Sequence, residues 1–216
     1  MIWYGDSWVF SYEKDRHYDK IKGKSIPELI GKPYECHAKR RVNNAEILLQ
    51  IKSFPCFVFQ TDPLRDLFCD WSSIKHKDFQ EKFIPKDNFG LLDVAKDRLD
   101  LFYSKLSGLN VTLVSGASKV DVELAEKYNL NYIEPSVTEI ISGTFDDTPF
   151  FDYHYTGKNH RYLVANYPQY NPHQKKVLDK VGKKNLIWKD NPKLFANRHA
   201  TEYGNSIFTK YINNIR

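Results

Sequence analysis

The sequence predicts an α/β fold in which helices wind a mainly parallel, five-stranded sheet on both faces. Three features carry that expectation. Mostly apolar stretches of strand length occur around residues 2–4, 56–59, 111–114 and 130–133, and the continuous run at 56–59 is how a strand buried on both faces reads. Between them lies enough chain for the helical crossovers that parallel neighbours require. The clearest of these crossovers places Leu91, Ala95, Leu99, Phe102 and Leu106 at helical spacing, with Gly108 as a stop. No segment repeats at a fixed period, which sets repeat architectures aside.

Taken in order, Ile2-Trp3-Tyr4 is a short strand running into Gly5-Asp6-Ser7. Gly5 permits the turn that leaves the strand, and the short Asp6 carboxylate can tie that turn to nearby backbone N–H groups. Residues 11–32 are polar and lysine-rich, with one helical turn at 27–31 ended by Gly31. The second strand is expected at 34–38. Asn43 followed by Glu46 is a capping-box pattern, so a helix starts there and runs to about Lys52. Residues 54–62 are an apolar run ending in polar residues, as a central strand would be.

The stretch 64–90 is long for a strand-to-helix connection; it either shapes access to the strand ends or packs as an extra helix. Beyond helix 91–106, residues 110–118 form the fourth strand and its exit, 120–128 a short amphipathic helix, and 130–136 the fifth strand. An aromatic-rich insertion follows at 145–170, where Phe150, Phe151, Tyr153, Tyr155 and Tyr162 crowd among Asp146, Asp147 and Asp152. It reads as a lid or sugar-stacking surface, or as an extra packed layer. Asp152, His154 and His160 have metal-ligating side chains but no recognised spacing, so no metal is expected. A helix at 172–181, an extended link at 185–188 and a turn at Asp190-Asn191-Pro192 lead toward His199. Tyr203, Ile207, Phe208, Tyr211 and Ile212 then recur at helical spacing in a closing helix, with His199 on the loop or first turn entering it.

Ser7 just past the first strand and His199 just before the last helix are the two candidate reactive residues. An open α/β sheet presents its chemistry at the carboxyl ends of its strands, and a serine hydroxyl needs a base such as imidazole to become nucleophilic. This pair, with the Gly5-Asp6-Ser7 turn, resembles the SGNH (GDSL-type) hydrolase family. The resemblance spans nearly the whole chain, with the best match at its two ends. It implies a flavodoxin-like, three-layer α/β/α domain covering residues 1–216. It also implies a serine esterase that removes an acetyl or short acyl group from a small-molecule or carbohydrate ester, with Ser7 as nucleophile, His199 as base and an oxyanion hole.

The sequence departs from the family pattern in three places. The glycine whose N–H contributes to the oxyanion hole is absent, and Arg41 falls near that point, close to Asn44 at the start of the helix. Where the family carries Gly-x-Asn-Asp after the third strand, this chain has Gln60-Thr61-Asp62-Pro63. Asp62 stands in place of the asparagine, and a carboxylate cannot donate to an oxyanion unless protonated. Either Gln60 or Thr61 supplies a donor instead, or Asp62 pairs with Arg65 or Arg41 in a structural role. The aspartate expected three residues before the histidine is Ala196. Asp190, the Asn197 amide oxygen or a backbone carbonyl would then orient the imidazole, a role whose loss costs serine proteases about four orders of magnitude in rate. The competing reading is a catalytically degenerate protein on the same fold that binds glycan or protein.

Composition narrows the remaining classes. The 216 residues are 41% hydrophobic, 27% charged and 15% aromatic, which suits one domain with a substantial core. No stretch has the apolar length of a membrane span, and the first residues lack the pattern of a secretory signal. Cys36, Cys56 and Cys69 are odd in number and unpaired in spacing, so a reducing cytoplasm is expected. The net charge of +5 is scattered apart from short clusters such as Lys39-Arg40-Arg41; it reads as a solvated surface rather than a nucleic-acid site.

Overall fold

The computed structural model describes residues 1–6, 8–9, 23–31, 33–39, 42–61, 91–116, 119–144, 190–196 and 199–215, with the side chains of 91–95 left aside. Ser7, Arg41, Asp62, Cys69 and Asn197 lie outside the described residues. So do the connection at 64–90, the aromatic stretch at 145–170 and the elements expected at 172–188.

Five strands form one parallel sheet: β1 (Ile2–Gly5), β2 (Glu35–Cys36), β3 (Cys56–Gln60), β4 (Val111–Ser115) and β5 (Asn131–Tyr132). Their spatial order is β2-β1-β3-β4-β5. Every neighbouring pair is parallel, with Trp3 opposite Phe57, Gly5 opposite Phe59 and Gln60 opposite Ser115. The chain leaves β1 toward one edge, to β2, and returns past it to β3 on the way to the other edge. The β1/β3 boundary is therefore the topological switch point, where the loops leaving two adjacent strands part and open a crevice.

Described helices are α1 (Ile26–Leu29), α2 (Asn44–Gln50), α3 (Leu91–Leu106), α4 (Val122–Lys127), α5 (Val137–Ser142) and α6 (Glu202–Asn214). Side-chain alternation divides them between the two faces of the sheet. On one face Trp3 stacks on Phe57 at 4.4 Å, and Phe59 meets Phe208 of α6 edge-on at 6.3 Å. On the other, Gln60 is held by Tyr103 of α3, whose hydroxyl donates to Gln60 Oε1 at 2.6 Å. Helices on both faces make the three-layer α/β arrangement. α6 is fastened across the molecule: Asn205 Nδ2 donates to the Lys24 carbonyl and the Tyr211 hydroxyl to the Glu134 carbonyl. No helix among the described residues is long and apolar enough to cross a membrane.

The local signals explain most boundaries. Asn43 caps α2, accepting from the Glu46 N–H at 2.7 Å while Glu46 returns the bond to the Asn43 N–H. Gly31 and Gly108 take left-handed φ values of 68° and 78° just beyond α1 and α3. Two features differ from expectation. Helix α5 follows β5 directly, capped by Ser136 with Glu139 three residues on and closed by Gly143 at φ 65°. In α6 the buried face is Gly204, Asn205, Phe208, Thr209 and Ile212, and Tyr203 is 56% exposed. The small residues Gly204 and Asn205, not an aromatic, face the protein there: a β-carbon on Gly204 would stand 2.5 Å from the Leu194 carbonyl oxygen.

Tyr103 is completely buried, and burial pushes its phenol far above the ordinary range. Besides donating to Gln60 it accepts from the Asp121 N–H at 3.1 Å. Tyr103→Phe would leave the buried Gln60 amide oxygen and the part-buried Asp121 N–H without that partner, so a loss of about 1–3 kcal/mol is expected in urea denaturation. An unchanged midpoint would show that the hydroxyl contributes nothing to stability.

Candidate active site

The turn leaving β1 is fixed on both sides of Ser7. Asp6 Oδ1 accepts from the Trp8 N–H at 3.0 Å, the local bond that a short carboxylate makes to a backbone donor two residues on. The Cys36 thiol donates to the Val9 carbonyl at 3.3 Å, joining the turn to the end of β2. Asp6, Trp8 and Val9 are all buried.

The exit of β3 is held from across the sheet by the first residue of α2. Asn44 Nδ2 donates to the Thr61 carbonyl, and Asn44 Oδ1 accepts from the Thr61 N–H, both at 2.9 Å. One side-chain amide thus satisfies both backbone groups of the residue just past the strand, as a neighbouring strand would. Asn44 therefore positions Thr61 and holds the loops after β2 and β3 together. Thr61 Oγ1 and Asn43 Nδ2 are buried and make no hydrogen bond. Leaving such atoms unmet costs about 1–3 kcal/mol each, and both are donors beside the switch point.

His199 belongs to a small antiparallel hairpin, β6 (Phe195–Ala196) with β7 (His199–Ala200). This differs from the loop or helical turn expected for it. The hairpin closes because the Thr201 N–H donates to the Leu194 carbonyl at 2.8 Å. Thr201 then caps α6 by accepting from the Gly204 N–H at 3.2 Å. His199 is 7% exposed and its ring lies 5.6 Å, centroid to centroid, from the Trp8 indole at a 39° tilt. Since Trp8 follows Ser7 directly, the turn after the first strand and the segment before the last helix meet at the carboxyl edge of the sheet.

Other titratable groups divide clearly. Asp190 is exposed, unlike the buried His199. Burial raises the Cys56 thiol to about 11, which makes it a poor nucleophile at neutral pH. Glu139 is buried but committed: it accepts from the Ser136 N–H and hydroxyl and pairs with Lys119 at 3.2 Å. Among the described residues no cluster of three His, Cys, Asp or Glu side chains could hold a metal ion.

Two residues gain a place that sequence reasoning did not give them. Trp8 was legible only as an apolar residue after the serine, and Gly116 only as part of a strand exit. A β-carbon on Gly116 would lie 2.2 Å from Cγ of the Trp8 indole, so the absence of a side chain there is what admits the ring. Nothing local in the sequence signals a contact between positions so far apart. No family model, curated protein or solved structure matches this chain.

Proposed function

We propose that this protein is a serine ester hydrolase of the SGNH (GDSL) type, acting on an acetyl or short acyl ester of a carbohydrate or other small alcohol. The observation that supports it is the contact between Trp8 and His199, which sets the residue after Ser7 against the one histidine expected to serve it. In this reading Ser7 Oγ attacks the ester carbonyl while His199 takes its proton. The tetrahedral oxyanion is received by the Ser7 N–H and the unpartnered Thr61 hydroxyl, with the backbone near Arg41 as a further donor. Collapse breaks the bond to the alcohol, which leaves with the proton from His199. Water then repeats the sequence on the acyl-enzyme, releasing the carboxylic acid.

A fluorophosphonate probe tests this directly. The expected result is one adduct, mapped to Ser7 by peptide mass, that disappears in Ser7→Ala together with hydrolysis of 4-nitrophenyl acetate. A folded wild-type protein that neither takes the probe nor hydrolyses acetyl esters would replace the enzyme by a binding protein on the same fold.

A further inference from the structure

The base in this reading has to be held at a fixed distance and angle from the nucleophile, and the ring contact beside it is well placed for that purpose. Trp8 is 3% exposed. Its backbone is tied to Asp6 at 3.0 Å, its ring lies on the bare backbone of Gly116, and its ring centroid is 5.6 Å from that of His199. The seat is closely shaped: a β-carbon at Gly116 would fall 2.2, 2.5 and 2.6 Å from three atoms of the indole, inside any permissible contact. The seat itself is fixed, because the Gly116 carbonyl accepts from both the N–H and the hydroxyl of Thr138, each at 2.9 Å. The indole is therefore clamped between the exit of β4 and the imidazole, and its own main chain is the residue after Ser7.

We infer that Trp8 is the positioning residue that fixes the His199 ring relative to Ser7, and that Gly116 is its seat. The inference rests on the esterase reading and adds to it a residue pair that acts through the base. Rigid placement matters here because a misplacement of about 1 Å at a reacting pair costs on the order of 100-fold in rate. A side chain on the residue after the nucleophile couples the two groups by the shortest covalent route available. Any shift of the indole moves the base and leaves the serine's own strand in place.

The test compares Trp8→Ala, Trp8→Phe and Gly116→Ala with the parent in hydrolysis of 4-nitrophenyl acetate, in phosphonylation of Ser7, and in the NMR shifts of the His199 ring protons. Trp8→Ala and Gly116→Ala are expected to lower kcat by about 100-fold with KM within a factor of two. Trp8→Phe, which keeps an aromatic face, should recover most of that loss. The His199 ring resonances should move in Trp8→Ala and Gly116→Ala, and adding Trp8→Ala to His199→Ala should lower the rate no further. Gly116→Ala, whose added β-carbon meets a side chain rather than a neighbouring strand's backbone as at Gly5, keeps the test decisive if Trp8→Ala does not fold. A wild-type protein phosphonylated at Ser7, with Gly116→Ala and, where it folds, Trp8→Ala at parental kcat, would overturn the positioning role and leave the esterase reading standing. Absence of any Ser7 adduct in the wild type would overturn both.

Discussion

His199→Ala is expected to lower kcat/KM for ester hydrolysis by roughly 10⁴-fold or more, the scale seen when the base of a serine–histidine pair is removed. Without imidazole the Ser7 proton has no acceptor in the transition state, and the hydroxyl alone is a weak nucleophile. The side chain is almost fully buried against Trp8, so its removal leaves a space of imidazole size. Free imidazole in the assay should partly restore the rate of His199→Ala, and should not restore Ser7→Ala. This asymmetry separates loss of a base from general damage to the fold. A variant retaining a tenth of the parental activity would remove His199 from the mechanism.

Gly5→Ala carries the largest expected effect on folding. Gly5 ends β1 at φ 151°, a conformation that residues with a β-carbon rarely adopt. An added β-carbon would stand 2.5 Å from the Phe59 β-carbon and 2.9 Å from its carbonyl oxygen. Both are parts of the neighbouring strand β3, and no rotamer change moves them aside. Overpacking of this kind costs about 1–3 kcal/mol, and a disfavoured backbone adds about 1–3 kcal/mol. Gly5→Ala should therefore approach or exceed the stability margin of a small domain, seen as loss of soluble protein or a large fall in the urea midpoint. A midpoint matching the parent would mean that β1 and β3 separate at little cost, contrary to their tight pairing at Gly5 and Phe59.

These two residues also show how differently the parts of the molecule could be read beforehand. Gly5 was legible as a turn former because it follows an apolar strand, but its contact with Phe59 was not. That contact depends on β3 lying beside β1, and only the sheet order supplies it. Asn43 was legible as a cap because Glu46 stands three residues later, whereas Asn44 gave no local sign that its amide would hold Thr61. Ser136 and Glu139 form the same capping pattern, and with Gly143 they mark α5 in the sequence, but a strand expected over 130–136 takes in the cap, where the observed β5 is only Asn131–Tyr132. The hairpin holding His199 was obscured for another reason. Its strands are two residues each, too short for any periodicity to emerge.

What the sequence determined by itself was the alternation of the five sheet strands with helices and the closing helix, because apolar spacing and capping pairs act over a few residues and need no distant partner. It also singled out Ser7 and His199 by their positions at the ends of that order. The tertiary structure alone decided the sheet order β2-β1-β3-β4-β5, the clamp of Asn44 on Thr61, and the packing of Trp8 between Gly116 and His199. Those are contacts across long separations in sequence. They arise from how whole elements share a core, and that sharing is a property of the packed chain and not of any one stretch of it.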